Sequence, residues 1–385
     1  MLANTNQCTG CGLCSVVCPG KAIRMQTNEI GFLYPIVNEE RCSSCDRCSQ
    51  ACPILNRITL SERRQFLAVK NINDEVRKKS SSGGVFFELA NNIIGCGGVV
   101  CAAGYDEDYS VSHKFAESLE EVLPLCGAKY SQSRFDHCFE NIKKRLQTGQ
   151  KVLFVGTPCQ TEALFLNCTK IERDNLFLVD MICHGVPSPM VFQGYLSEQS
   201  KAVAQGSSVL SISLRDKTTG WSNYSYSVKI SFENGTEYLK KQSDDWYMQG
   251  FVNNLYLRDS CEDCQFKGET RSSDLTLGDF WGIWDITPEF DDNQGVSVLT
   301  INSKKGAELW NAICDDFAAI SVTEKQAFEY NPSALSSSKA HPNKQKFYEL
   351  IKENTDLKSA VQICLFGEKE KVSFWRKIKR VLNND

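Results

Sequence analysis

From residue 66 onward, short apolar runs alternate with stretches of helical periodicity. The run FLAVK (66–70) opens the pattern, and residues 85–94 follow with helical spacing. Residues 98–103 predict a strand, 136–146 a helix, 151–155 a buried strand, 160–166 a helix and 176–181 another strand. Strands alternating with helices predict an α/β core around a parallel or mixed sheet. From Ser208 the period falls to two, in SVLSISLRD and YSYSVKISFENGTEYLKK. Asn234-Gly235 between two such runs predicts a hairpin with a type I′ turn, an antiparallel extension of the sheet. Residues 295–302 then predict a strand and 304–317 a helix.

The first fifty-odd residues carry no such pattern, and composition explains why they need separate treatment. The chain has 385 residues, 42% hydrophobic and 23% charged, which are ordinary globular values and suggest two or three domains. A net charge of −4 gives no reason to expect nucleic acid as a partner. Cysteine is the outlier: 19 cysteines stand against four histidines, which argues against an imidazole-rich metal centre. The start, MLANTNQCTG, lacks a basic and then apolar leader, and no apolar run reaches the roughly 20 residues that span a bilayer. The expected location is therefore cytoplasmic. There thiols stay reduced, and dense cysteine points to metal or redox chemistry rather than disulfides.

Cys8, Cys11, Cys14 and Cys18 are spaced C-x2-C-x2-C-x3-C before Pro19, and Cys42, Cys45, Cys48 and Cys52 repeat the spacing before Pro53. This is the spacing of bacterial two-cluster ferredoxins, in which the fourth cysteine of each run ligates the other cluster. Cys8, Cys11, Cys14 and Cys52 are thus expected to hold one four-iron cluster, and Cys42, Cys45, Cys48 and Cys18 the other. Zinc sites draw their ligands from separated pairs instead. Gly10 and Gly12 relieve crowding where the first loop bends. Two interlocked cubes also supply the core that so short a segment lacks.

Four further cysteines stand where an α/β sheet gathers cofactors. Cys159 and Cys183 follow the buried strands 151–155 and 176–181, and Cys261 and Cys264 form a C-x2-C. Together they could hold a third four-iron cluster or a zinc ion; the alternative is a structural C-x2-C with two buried free thiols. The seven left over, Cys96, Cys101, Cys126, Cys138, Cys168, Cys314 and Cys364, are expected to be core thiols. SSSGG (80–84) leads into the helix at 85, where exposed backbone N–H groups can bind the pyrophosphate of a dinucleotide, although a serine cap gives the same letters. A second such turn is Gly156-Thr157-Pro158, and a third, Gly127-Ala128-Lys129-Tyr130, offers a cation beside a ring. No G-x-G-x-x-G occurs, so an ordinary nicotinamide-binding unit is not supported.

The stretches KSSSGGVFFELA, CGAKYSQS, VLFVGTPCQTEAL, ICHGVPSP and CEDCQFKGETRSSDLTLGDFWG, in that order over 78–283, resemble the coenzyme F420 hydrogenase/dehydrogenase beta-subunit family. An N-terminal two-cluster ferredoxin module also occurs in that family. The resemblance implies an FAD and an iron–sulfur cluster in the body. It implies flavin contacts at Ser81, Ser82, Gly83, Gly84, Lys129 and Tyr130, while Gly156 and Thr157 stay cofactor-binding candidates from their turn alone. Cys159, Cys183, Cys261 and Cys264 would be cluster ligands. His184 would be a proton donor beside the flavin or a histidine satisfied by the backbone, and Lys129 a second catalytic candidate. Asp279 and Trp281 could line the same cleft or form a packed turn.

The domains expected are a ferredoxin module at 1–57, a flavin and iron–sulfur body at 66–320 behind a polar linker at 60–65, and a helical C-terminal tail at 321–385. The final segment, VSFWRKIKRVLNND, places Phe374, Ile378, Val381 and Leu382 on one helical face among basic residues. Such a helix can rest on an anionic membrane, dock on a partner or cover its own domain. The function implied is an iron–sulfur flavoprotein oxidoreductase that exchanges electrons with a small-molecule or deazaflavin substrate, or with a donor or acceptor protein. The alternative is a non-catalytic electron-transfer subunit serving a partner enzyme.

Overall fold

A computed structural model describes residues 2–58 and 64–367. Strands β1 (Ile23–Thr27) and β2 (Leu33–Val37) pair antiparallel in the cysteine-rich N-terminal module. The body continues with β3 (Gln65–Asn71), β4 (Val99–Tyr105), β5 (Val111–Ala116), β6 (Val152–Gly156) and β7 (Leu176–Met181). Strands β8 (Val209–Asp216), β9 (Ser227–Phe232) and β10 (Glu237–Lys241) follow, then β11 (Leu275–Asp279), β12 (Ser297–Ile301) and β13 (Phe317–Val322). The main sheet runs β13-β3-β12-β11-β7-β6-β4-β5. Its centre, β4, β6, β7 and β11, is parallel, and the flanking strands are antiparallel to their neighbours.

Strand β6 shows why the sheet lies in the middle. All five of its residues are buried. Leu153 and Val155 face one core with the helices Val85–Gly95 and Lys304–Asn311, while Val152 and Phe154 face the other with Phe139–Gln147 and Pro158–Asn167. A strand covered on both sides reads as a continuous apolar run, which is what KVLFVG is.

The fold is thus α+β, an α/β body with a mixed sheet and an antiparallel hairpin behind a ferredoxin-like module, as the hydrophobic pattern of the body and the cysteine spacing of the module indicate. Several details differ. The period-two strands form a three-stranded sheet of their own, order β10-β9-β8, instead of extending the main sheet. Their inner faces pack on the helices Pro189–Ala204 and Trp246–Val252 in a separate aromatic core. The Asn234-Gly235 loop is not type I′, because Gly235 has φ +82° while Asn234 does not share a positive φ. Gly235 N–H donates to Phe232 O and Phe232 N–H to Thr236 O, so a three-residue loop ends in a left-handed glycine. The helix expected over 304–317 stops at Asn311, and Phe317 opens β13, because Phe317 is drawn into the sheet core.

The segment after residue 321 is not a free tail. Phe347, Tyr348, Leu357, Ala360, Val361 and Cys364 complete the aromatic core. The basic amphipathic stretch lies outside the described residues, as does most of the linker. No described helix is long and apolar enough to cross a membrane. Among the leftover cysteines, Cys101, Cys138, Cys168 and Cys364 are buried and Cys126 and Cys314 half-buried. Cys96 is exposed, because it caps the helix Val85–Gly95 at a glycine turn rather than entering the core.

Gly306 shows how closely the outer helices sit. A Cβ there would lie 2.1 Å from the Asp274 carbonyl oxygen, which is backbone and cannot swing aside. Gly306→Ala should therefore destabilise the protein by about 1–3 kcal/mol despite alanine's better helix propensity. The urea midpoint measures this, and an unchanged or raised midpoint would show that the contact relaxes.

Candidate functional site

Strands β6 and β7 are parallel neighbours, so the turns that follow them leave the sheet at the same end. The first carries Thr157, Pro158 and Cys159 into the helix Pro158–Asn167, with Thr157 and Gln160 forming a capping box. The second carries Cys183, His184 and Gly185. A third segment approaches through the Pro187–Leu257 bridge and the Arg258 N–H to Val186 O bond, and brings Cys261 and Cys264. All four cysteines line one cavity, which encloses about 580 Å³ of empty space with its mouth included.

Donors around the cavity point at sulfur. Thr157 Oγ1 lies 3.1 Å from Cys159 Sγ, and Val186 N–H donates to Cys261 Sγ at 3.4 Å. Lys267 Nζ donates to Cys183 O and to Ser333 O, pinning the Cys183 turn. Burial raises the pKa of Cys159, Cys183 and Cys261, the last to about 12, and repulsion from the neighbouring thiols adds to the rise in each. Four thiolates gathered here would need positive charge between them. Among the described residues no group of His, Cys, Asp and Glu gathers as a site for a single metal ion.

The N-terminal module presents a second cysteine cavity, lined by Cys8, Cys11, Cys14 and Cys52 with Met25, Pro35 and Ile54. Three of these thiols come from the first run and one from the second. Burial raises the pKa of Cys11 to about 12 and also raises those of Cys14 and Cys52. Cys18 Sγ accepts from Ala22 N–H at 3.2 Å, and Cys42 and Cys45 are exposed. The Arg47 amide and the Ser43 side chain hold the Cys45 thiol below its ordinary pKa.

The two ligand loops repeat one backbone. Gly10 and Gly12 take φ +70° and +80°, and Ser44 and Asp46 take +51° and +57° at the equivalent positions. Only the first loop needs glycine for space. A Cβ on Gly10 would meet Gln132, Leu33 and Arg258 within 3 Å, and one on Gly12 would lie 2.5 Å from Asp136 Cβ. Ser44 and Asp46 are exposed. The first loop is therefore buried against the body while the second faces solvent.

Further contacts hold the module in place. Leu13, Cys11 and Val16 join the core of the main sheet. Asn167 Nδ2 donates to Ala51 O at 3.0 Å, and Ser188 Oγ donates to Ile30 O at 2.5 Å. Arg57 pairs with the buried Glu162. Thr9 of the first loop lines the body cavity beside Cys159 and Cys183.

The flavin candidates gather elsewhere, apart from two. Gly83 N–H donates to Ser297 Oγ at 2.9 Å, and Lys217 Nζ donates to Ser82 O at 2.8 Å. Gly84, at φ +90°, starts the helix Val85–Gly95. Lys129 Nζ donates to the carbonyls of Leu125, Cys126 and Gly127, and burial lowers its pKa to about 7. The Tyr130 hydroxyl faces the Arg215 guanidinium, and its ring lies 4.7 Å from that of Phe251. Thr157 lines the cysteine cavity and contacts Cys159, and Gly156 before it ends β6. His184 also lines that cavity. Its Nδ1 lies 3.3 Å from Ser333 Oγ, its buried Nε2 has no partner, and burial lowers its pKa.

Sequence reasoning missed Arg215 and Lys217. Arg215 is buried between the rings of Tyr226 (4.0 Å) and Trp281 (4.6 Å) and pairs with Asp279 at 3.1 Å. Its Nε and Nη2 and Asp279 Oδ1 are buried without partners. Burial lowers the pKa of Lys217 to about 7. The available signal was RDK at the end of a strand that alternates apolar and polar residues, a charge where the inward face is due. Asp279 and Trp281 thus pack directly against the buried Arg215 cation. The ring of Phe251, between Tyr130 and His184 (5.2 Å), links it to the cysteine cavity.

Two regions of the chain match known families. Residues 149–325 match the family described as the C terminus of the coenzyme F420 hydrogenase/dehydrogenase beta subunit. Residues 7–55 match the 4Fe-4S dicluster domain. None of the curated proteins compared matches the chain. Among solved structures, the F420-reducing NiFe hydrogenase complex from Methanosarcina barkeri, in its xenon derivative, is similar at 18% identity and a TM-score of 0.47. The match covers 78% of this chain and 97% of that one. Residues 149–325 thus match the C-terminal domain of the coenzyme F420 hydrogenase/dehydrogenase beta subunit and residues 7–55 a 4Fe-4S dicluster domain, which together make this chain an iron–sulfur electron-transfer protein.

Proposed function

We propose that this chain is an iron–sulfur flavoprotein carrying electrons between a small-molecule or deazaflavin substrate and an external redox partner. The observation that carries the reading is the convergence of Cys159, Cys183, Cys261 and Cys264, from three separate segments, on one cavity beside the first ferredoxin loop. A third four-iron cluster there would need four thiolates and donors aimed at sulfur, and both are present.

In this reading FAD would bind against the cations Arg215 and Lys217. Arg215 and Lys217 offer positive charge to an anionic group, with the unpartnered Arg215 nitrogens as donors. Tyr130, Tyr226 and Trp281 offer ring faces, and the 80–84 turn offers a helix N-terminus. Bound flavin supplies the step between two-electron and one-electron chemistry. The chain's own residues exclude water and hold the ligand: Lys217 holds the Ser82 carbonyl, and Lys129 braces the 125–127 turn. His184, whose pKa burial lowers and whose Nε2 lacks a hydrogen-bond partner, would serve proton transfer between the two sites. The exposed Cys42 and Cys45 leave the second ferredoxin loop open to a protein donor or acceptor.

A second reading is an electron-transfer subunit without its own substrate site. The beta-subunit description of the family favours it. Anaerobic purification followed by iron, sulfide and flavin analysis separates the two. About twelve irons with about one flavin per chain is the expected result, from three four-iron cubes. About eight irons and no flavin would leave only the carrier.

A further inference from the structure

Arg258 is completely buried, yet it forms no ion pair among the described residues. Its neighbour Asp259 is taken by Lys344. The guanidinium donates only to neutral acceptors: Nε to Cys8 O at 2.8 Å, Nη2 to Leu33 O at 2.9 Å and Nη1 to Gln132 Oε1 at 2.9 Å. The rings of Tyr34 and Phe32 lie 4.2 and 5.3 Å from its central carbon. A buried cation without an anion is costly, and carbonyls and ring faces offset only part of that cost.

The same residue touches both cysteine sets. Its side chain holds the carbonyl of Cys8, and its own carbonyl accepts from the N–H of Cys261 at 2.9 Å. Gln132 closes the bridge by donating to Thr9 O at 3.1 Å. Gly10 lacks a Cβ where one would lie 2.9 Å from Arg258 Nη1. A cube held by four thiolates is an anion and gains one more negative charge on reduction. Two such anions, one on each side, are the missing counter-ions.

We propose that Arg258 is a positioning residue that holds the Cys8, Cys11, Cys14 and Cys52 cluster at a fixed distance from the body cluster and stabilises the reduced state of both. The inference rests on the body cluster of the preceding reading. It also makes the first cluster, not the solvent-facing second one, the neighbour of the body cluster.

The test is an anaerobic potentiometric titration followed by electron paramagnetic resonance, on the full-length holoprotein. Iron analysis of the wild type comes first: about eight irons per chain removes the body cluster and the bridge with it. With about twelve, Arg258→Gln should shift a cluster's reduction equilibrium about tenfold against reduction, about 59 mV for a one-electron couple. It should also weaken the spin–spin broadening of the fully reduced spectrum. Arg258→Lys, which keeps the charge, should restore the midpoint. Should Arg258→Gln lose iron, Gln132→Glu sets a carboxylate against the guanidinium without removing it and should lower the midpoint in the same direction. A full iron complement with wild-type midpoints and broadening in these variants overturns the proposal and leaves the body cluster standing.

Discussion

Replacing Cys183 by alanine is expected to take the protein from about twelve irons per chain to about eight, while the N-terminal clusters stay intact. Cys183 is one of four thiols around the body cavity; among the described residues no carboxylate lines it, and His184 is the one imidazole that does. Three ligands leave one iron of a cube open to solvent and oxidation, so the whole cube should be lost under aerobic handling. Cys168→Ala is the control, because Cys168 is buried in the sheet core away from both cavities and should change packing alone. Iron and sulfide assays with the visible absorption of the reduced and oxidised protein give the readout. Equal iron in the wild type and the Cys183 variant sinks the body cluster. About one zinc per chain, lost in the variant, would identify the site as zinc instead.

The second large effect is expected at Asp245, and it concerns stability. Asp245 is completely buried and caps the helix Trp246–Val252 by accepting the Met248 N–H at 2.8 Å. It also accepts the hydroxyls of Tyr195 at 2.7 Å and Tyr238 at 2.8 Å. One carboxylate thus joins the helix Pro189–Ala204, strand β10 and the helix that leads toward Cys261. Asp245→Ala leaves three buried donors without an acceptor, each costing about 1–3 kcal/mol if nothing relaxes. Partial relaxation makes a total of about 3–5 kcal/mol the expected loss, a large share of the 5–15 kcal/mol typical of a folded domain. Asp245→Asn should lose less, because the amide oxygen can still accept from Met248. Urea unfolding of the anaerobic holoprotein, followed by tryptophan fluorescence, compares the two. Equal midpoints for wild type and alanine variant would mean that water replaces the carboxylate.

Burial raises the pKa of this carboxyl, so its neutral form is favoured in the folded state relative to the unfolded one. The sign follows from linkage. Stability from that preference is complete below the unfolded pKa and is lost as pH rises through the folded one. Asp245 therefore does not contribute to acid denaturation, in contrast to Asp292, whose pKa is held at about 2 by Arg77 and Lys70.

Both results depend on features that differ in how far the chain alone declares them. The cysteine runs at 8–18 and 42–52 were legible because a four-iron cube needs its ligands a few residues apart in one loop, so the constraint is local. The buried strand KVLFVG and the helix after it were legible because a fully covered strand and an amphipathic helix each have a period visible in a short window. The hairpin turn was half legible: Asn-Gly marks a tight turn, but which turn forms depends on how the flanking strands pair.

Other features depend on tertiary arrangement: the body cysteines could be grouped from the residues only by supposing an α/β sheet, and the buried cations could not be placed at all. Cys159, Cys183 and Cys261 are separated by tens of residues, and only parallel pairing of β6 with β7 and the return bridge at Leu257 bring them to one cavity. Thr157 carries a turn that looks like a phosphate loop, yet the sheet delivers it to sulfur. Arg215 and Arg258 resemble ordinary charged residues until burial removes their water. Local spacing determined the ferredoxin ligands and the layered α/β plan. Long-range packing decided which cysteine loop is buried against the body, which charges lose their solvent, and hence where the chain's redox chemistry can be joined.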